Sequence, residues 1–96
     1  MSRSNSDGIH HLFEAILRLE NAGECEAFFD DLCTVKELQD LSQRLIVAEL
    51  LDQGKSYLEI VETTGASTAT ISRVNKALIY GKNGYRTMID RMKDQK

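Results

Sequence analysis

The stretch GASTATISRVNKAL, residues 65–78, combines a turn with a two-faced helix and decides the expected fold. Gly65 can adopt a positive φ without steric cost, and Ser67 is a favourable N-cap for a helix from Thr68 to about Ile79. At 100° per residue the apolar side chains of that helix share one face: Ile71, Val74 and Leu78. The stretch therefore predicts the second helix of a helix-turn-helix.

The residues just before this turn predict the first helix of the motif. Ser56 and Glu59 have the spacing of a capping box, so a helix should run from Tyr57 to Thr64. Ile60 precedes Gly65 by five residues, where it can pack against the apolar face of the second helix. The whole motif is expected at about residues 56–79.

The rest of the chain predicts an all-α fold of six helices, because it has no proline and its apolar residues recur every three to four positions. Further helices are expected at residues 9–19, capped by Ser6 or Asp7, at 24–32, and at 85–92. A long helix should begin after Thr34, which forms a capping box with Glu37, and stop at Gly54. Residues 1–8 are expected to form a flexible arm, and residues 9–96 a single helical DNA-binding domain.

The long helix is apolar on almost every side between Leu45 and Leu51. A helix of this kind must be covered by other elements. A 96-residue chain buries only a limited core by itself. We therefore expect part of the covering to come from a second copy in a homodimer.

The charge distribution favours a nucleic-acid partner more than the net charge of −3 does. Residues 1–54 carry 4 basic and 11 acidic side chains, whereas residues 55–96 carry 8 basic and 4 acidic ones. The basic half contains the second helix of the predicted helix-turn-helix, which is the helix that would read DNA bases. This is expected for a protein that binds double-stranded DNA.

Several residues of the motif have the chemistry needed for DNA recognition. Small and hydroxyl-bearing side chains at a helix N-terminus let the backbone approach base edges, and basic or phenolic side chains reach phosphates. The expected DNA-binding residues are Tyr57, Thr68, Ala69, Thr70, Ser72, Arg73 and Lys76.

Residues 34–78 resemble the core of the Trp repressor family. The resemblance rests on LSQRLIVAELL, on Gly54-Lys55-Ser56 and on TGASTATISR, with one residue missing in the turn near Lys55. It is strongest to the shorter Trp-repressor-related branch. It implies an intertwined homodimer that binds a pseudo-palindromic operator and represses transcription.

The resemblance also implies a possible effector site. Arg44 and Arg73 occupy the positions of the two arginines that enclose tryptophan in the family, and Thr34 matches a threonine near the ligand. Val74 replaces a glycine and Ala77 replaces a serine. Overpacking costs about 1–3 kcal/mol and a lost hydrogen bond to a charged group about 1.5–3 kcal/mol, so the two costs together can exceed about a hundredfold in affinity. We expect weak or no tryptophan binding, and a different small-molecule effector, if any.

Other classes of function have less support. A helical protein-interaction module that kept the fold without specific DNA binding is the alternative, with the acidic half as its working surface. No catalytic or metal-binding constellation stands out, so neither an enzyme nor a metal site is expected. No apolar run has the length of a membrane span, and the N-terminus lacks the pattern of a signal peptide, so the expected location is the cytoplasm.

Overall fold

The computed structural model describes residues 5–94, which form six α-helices and no strand. The helices are α1 (Asn5–Ile16), α2 (Ala22–Leu32), α3 (Val35–Asp52), α4 (Tyr57–Thr64), α5 (Thr68–Tyr80) and α6 (Gly84–Lys93). None of these helices is long and apolar enough to cross a membrane. The chain divides into two compact units, residues 1–38 and residues 39–96.

The first unit contains α1, α2 and the beginning of α3. Helix α1 starts at Asn5, four residues earlier than expected, so residues 5–8 of the expected arm are helical, while residues 1–4 lie outside the described part. The expected capping by Ser6 or Asp7 is therefore wrong, since both lie inside the helix. Helix α2 is capped by Asn21, whose Oδ1 accepts from the backbone N–H of Glu24 at 2.9 Å.

Burial within residues 6–38 is incomplete. None of these residues is buried, although α1 and α2 carry apolar faces. Phe13 is 51% exposed and Leu17 is 84% exposed. The apolar faces of this unit are therefore open to solvent in the isolated chain.

The second unit contains the hydrophobic core. Its buried side chains come from α3 to α6 and from the turn between α4 and α5: Val47, Ala48, Ile60, Ala66, Ile71, Val74 and Ile89. Helix α5 contacts both α4 and α6. The helix that carries the candidate reading face is thus held by the core on its inner side.

Helix α3 begins and ends as its sequence predicts. The Thr34 backbone N–H donates to Glu37 Oε1 at 2.8 Å, and the Glu37 N–H donates to Thr34 Oγ1 at 3.1 Å, which completes the capping box. Gly54 ends the helix with a φ of 82°, a conformation that favours glycine.

An ion-pair cluster joins the end of α3 to α6. Asp52 accepts from Arg86 and from Lys93, each at 2.6 Å, and its side chain is only 10% exposed. These bonds, first that from Lys93 and then that from Arg86, hold the pKa of Asp52 below its usual range. The bond to Asp52, with a smaller contribution from Asp90, raises the pKa of Arg86. Helix α6 is therefore held to α3 by these ion pairs as well as by the burial of Ile89.

Candidate nucleic-acid interface

The turn between α4 and α5 has the local geometry of a helix-turn-helix elbow. Ser56 Oγ accepts from the Glu59 N–H, and Glu59 Oε1 accepts from the Ser56 N–H, so α4 begins with a complete capping box. The bond that the carboxylate accepts from the Ser56 backbone lowers the pKa of Glu59, and the Ser56 side chain adds to this effect. Gly65 ends α4 with a φ of 73°, in the left-handed region.

The inner side of the elbow is fully packed. Ile60 and Ile71 are 0% exposed, and Ala66 and Val74 are 2% exposed. These residues belong to one core cluster. Because its apolar face is buried against α4 and the core, α5 must present its opposite face outward.

The outward face of α5 carries most of the residues expected to meet DNA. Thr68, Ala69, Ser72, Arg73 and Lys76 are all exposed. Tyr57, at the first position of α4, is 36% exposed. The elbow thus brings the first turn of α4 and one face of α5 to the surface of the same unit.

Thr70 differs from the other expected reading residues. It is half-buried, and its Oγ1 accepts a hydrogen bond from Ser67 Oγ at 3.1 Å. Ser67 Oγ also accepts from the Thr70 backbone N–H at 3.1 Å, which makes Ser67 the N-cap of α5. The Thr70 hydroxyl is therefore held at the helix terminus, with its own hydrogen left to donate.

The basic side chains of α5 and two of those of α6 differ in their ion pairing. Arg86 and Lys93 are committed to Asp52, and Arg86 also lies 3.5 Å from Asp90. Within residues 5–94, Arg73 and Lys76 have no carboxylate within ion-pair distance. The cations of α5 are thus free to bind an external anion, whereas two of the cations of α6 are already neutralised.

The expected effector residues have different local surroundings. Thr34 is engaged in the capping box of α3. Val74 is 2% exposed, because it lies one turn beyond Ile71 on the inner face of α5, so its side chain is inaccessible to a ligand from solvent. Arg44 is half-buried and, among the described residues, has no ion-pair partner.

Ala77 lies instead beside an open, largely apolar cavity of about 600 Å³ between α3, α5 and α6. The cavity is lined by Leu45, Ala77, Gly81, Lys82, Gly84, Tyr85 and Met88. Lys82 is its only cationic lining residue. Within the described residues no cluster of His, Cys, Asp and Glu is arranged to hold a metal ion.

Sequence reasoning missed one residue that contacts the elbow. Gln43 of α3 donates from Nε2 to the backbone carbonyl of Thr64, at 3.3 Å. The two residues are 21 positions apart, and no motif links a glutamine on a long helix to a turn so far along the chain.

Comparisons with known proteins agree with this geometry. The family model described as Trp repressor protein matches residues 7–93. The uncharacterised protein YerC of Bacillus subtilis (strain 168) is 51% identical over 86 residues, which cover 90% of this chain and 83% of that protein.

Two solved structures have the same fold. A candidate Trp repressor from Staphylococcus aureus superimposes with a TM-score of 0.87 at 53% identity, over 95% of this chain and 89% of that one. A TrpR-like protein from Eubacterium eligens ATCC 27750 also gives a TM-score of 0.87, at 48% identity, over 92% of this chain and 91% of that one. The all-α fold predicted from the sequence is confirmed, and the chain belongs to the Trp repressor family.

Proposed function

We propose that this protein is a sequence-specific DNA-binding transcriptional regulator that binds a pseudo-palindromic operator as a homodimer. The observation that carries the proposal is the two-sided environment of α5. Ile71 and Val74 are buried against the core, while Ser72, Arg73 and Lys76 are exposed on the other side. Family membership supports a regulatory rather than a catalytic role.

The exposed face of α5 suits the major groove of DNA. Thr68 and Ala69 are small, so the first turn of α5 can come close to base edges, and the Thr68 methyl can meet a thymine methyl. The hydroxyls of Thr70 and Ser72 can exchange hydrogen bonds with bases. The N-terminus of α5 also favours phosphate, since its first N–H groups and the helix dipole attract negative charge.

Phosphate contacts would hold the reading helix in register. Tyr57 lies at the start of α4, where a phenolic hydroxyl can donate to a phosphate oxygen. Arg73 and Lys76 lie one and two turns into α5 and have no internal carboxylate partner within the described residues. Binding DNA therefore does not require these two side chains to break an ion pair.

Dimerisation is supported by the apolar surface that the isolated chain leaves uncovered. Phe13, Leu17, Val35, Leu41 and Ile46 are between 43% and 84% exposed. Burying exposed apolar side chains such as these against a second copy is favourable. A homodimer would also carry two copies of α5, as a symmetric operator requires.

Two residues of α5, Val74 and Ala77, argue against control of DNA binding by tryptophan. In the core, the Val74 side chain occupies the position where the family resemblance implies a glycine. Ala77 cannot supply a hydroxyl to a ligand amine. We propose that tryptophan does not control DNA binding, and that any effector has another chemistry.

Selection from a random duplex library at low salt tests the DNA-binding proposal. Wild-type protein should enrich a site with two related half-sites. A triple variant, with Thr70, Ser72 and Arg73 each changed to alanine, should enrich none. The matched control is Lys82→Ala, which removes a cation outside the reading face and should enrich the same site as wild type. If wild-type protein enriches no sequence, the proposal of a specific DNA reader is wrong.

The uncovered apolar surface is also the observation that favours the alternative, a helical protein-interaction module. In that case the chain would co-purify with another protein, and the triple variant would retain this partner. Enrichment of a DNA site by wild type alone would exclude this as the sole function.

A further inference from the structure

One side-chain hydrogen bond connects the long helix α3 to the elbow of the helix-turn-helix. Gln43 Nε2 donates to the Thr64 carbonyl at 3.3 Å, in a half-buried position. Thr64 is the last residue of α4. The bond therefore joins the middle of α3 to the point where the chain turns from the first helix to the second.

The Thr64 carbonyl is a group that the helix itself cannot satisfy. The last four carbonyls of an α-helix lack intrahelical donors, and a buried one without a partner is destabilising. Two backbone N–H groups that follow it are bonded within the elbow. The Gly65 N–H donates to the Val61 carbonyl at 2.8 Å, and the Ala66 N–H donates to Thr64 Oγ1 at 3.1 Å.

The Thr64 side chain is likewise fixed in place. Its Oγ1 donates to the Ile60 carbonyl at 2.7 Å while accepting from Ala66. Gly65 then takes its left-handed conformation, and Ser67 caps α5 two residues later. All of these bonds are local to the elbow, so they set its shape but not its position on α3.

We infer that Gln43 is a positioning residue for DNA recognition. Its amide fixes the elbow on α3 and thereby sets the angle at which α5 presents Thr68 to Ser72. Buried apolar contacts hold α5 against the core, but such contacts are not directional. A hydrogen bond constrains distance and direction together. This inference rests on the proposed DNA-binding function and names a residue that acts through the turn, without touching DNA.

Specific and non-specific DNA binding should depend differently on this bond. Specific binding requires the base-reading side chains to be correctly oriented, whereas non-specific binding depends on cations near phosphates. Loss of the Gln43 amide should therefore lower affinity for a selected site and leave affinity for an unrelated duplex unchanged.

The test uses the full-length variant Gln43→Met, which keeps an unbranched side chain of similar length but has no donor. The matched control is Gln39→Met, the same substitution one turn earlier on α3 at an exposed residue. We expect the ratio of the two affinities, selected duplex over unrelated duplex, to fall about tenfold in Gln43→Met, equivalent to about 1.4 kcal/mol. The control should keep the wild-type ratio.

A second measurement does not depend on DNA. Amide hydrogen exchange at Gly65 and Ala66 should be about tenfold faster in Gln43→Met, because the turn opens more easily, and unchanged in Gln39→Met. An unchanged affinity ratio, or an equal loss on both duplexes, would overturn the positioning role. If wild-type protein selects no DNA site, the proposed function fails. If hydrogen exchange at Gly65 and Ala66 is also unchanged in Gln43→Met, Gln43 does not hold the turn either.

Discussion

Arg73 gives the most quantitative expectation for how this surface binds DNA. Its side chain is exposed on α5 and has no carboxylate partner within residues 5–94. Replacing it with glutamine removes one positive charge and breaks no internal ion pair. The substitution should therefore leave the fold intact and act on binding alone.

The size of the effect follows from counterion release. Each phosphate neutralised contributes about 0.9 to the slope of log K against log salt, so two copies of Arg73 in a dimer contribute about 1.8. Over a fourfold change in salt, wild-type affinity should fall about tenfold more than that of the Arg73→Gln variant. The variant should bind more weakly than wild type at low salt, and the two should converge as salt increases.

Fluorescence anisotropy with a labelled duplex, titrated at a series of salt concentrations, measures these slopes. Arg86→Gln is the matched control, because it makes the same change in charge at an arginine that is bonded to Asp52. Its slope should remain close to that of wild type. Circular dichroism at each salt concentration confirms that both variants are folded.

Two results would refute this reasoning. An unchanged slope for Arg73→Gln would mean that this cation does not meet a phosphate. Equal reductions for Arg73→Gln and Arg86→Gln would mean that overall charge, rather than the exposed face of α5, governs binding.

Three further predictions concern the turn, the ion-pair cluster and the ligand. Gly65→Ala should lower the free energy of unfolding by about 1–2 kcal/mol through its positive φ alone, since an added Cβ meets nothing within 4 Å. Gly8→Ala, in equally open space inside α1, should raise the free energy of unfolding by about 0.5–1 kcal/mol. Changes of the same sign for both variants in urea denaturation would contradict this prediction. Because the pKa of Asp52 is depressed in the folded state, its stabilisation is present above the ordinary pKa of a carboxyl and is lost as pH falls through the folded value. Asp52→Asn should therefore lower the urea midpoint at pH 7, and the midpoint should then fall less than that of wild type as the pH is lowered. The control Asp94→Asn should have the same urea midpoints as wild type across this pH range. Calorimetry with tryptophan should give no saturable heat, and micromolar or tighter binding would refute the interpretation of Val74.

The helix boundaries that follow short-range rules were predictable from sequence. The capping boxes at Thr34 and Ser56, the left-handed Gly65 and the cap at Ser67 all depend on residues within four positions of one another. The start of α1 was not predictable in this way, because Asn5 precedes the apolar repeat from which the helix was inferred. Helix α2, expected from residue 24, begins at Ala22, because the side chain of Asn21 caps it.

The contacts that position the candidate site depend on long-range pairing. The excess of basic residues after Lys55 suggested a broadly cationic half, but Arg86 and Lys93 are committed to Asp52. Their partner lies 34 and 41 positions away, and only the packing of α6 on α3 brings these side chains together. Two cations that the sequence assigned to this half are therefore already bonded to a carboxylate, whereas Arg73 and Lys76 of α5 have no ion-pair partner within the described residues.

Whether the exposed face of α5 reads DNA sequence is measured most directly by the ratio of two affinities. The dissociation constants of wild-type protein for a selected duplex and for the same bases in scrambled order should be measured at one fixed salt concentration. The selected duplex should bind tighter by a factor on the order of 10³ or more. Equal dissociation constants for the two duplexes would contradict sequence reading by α5.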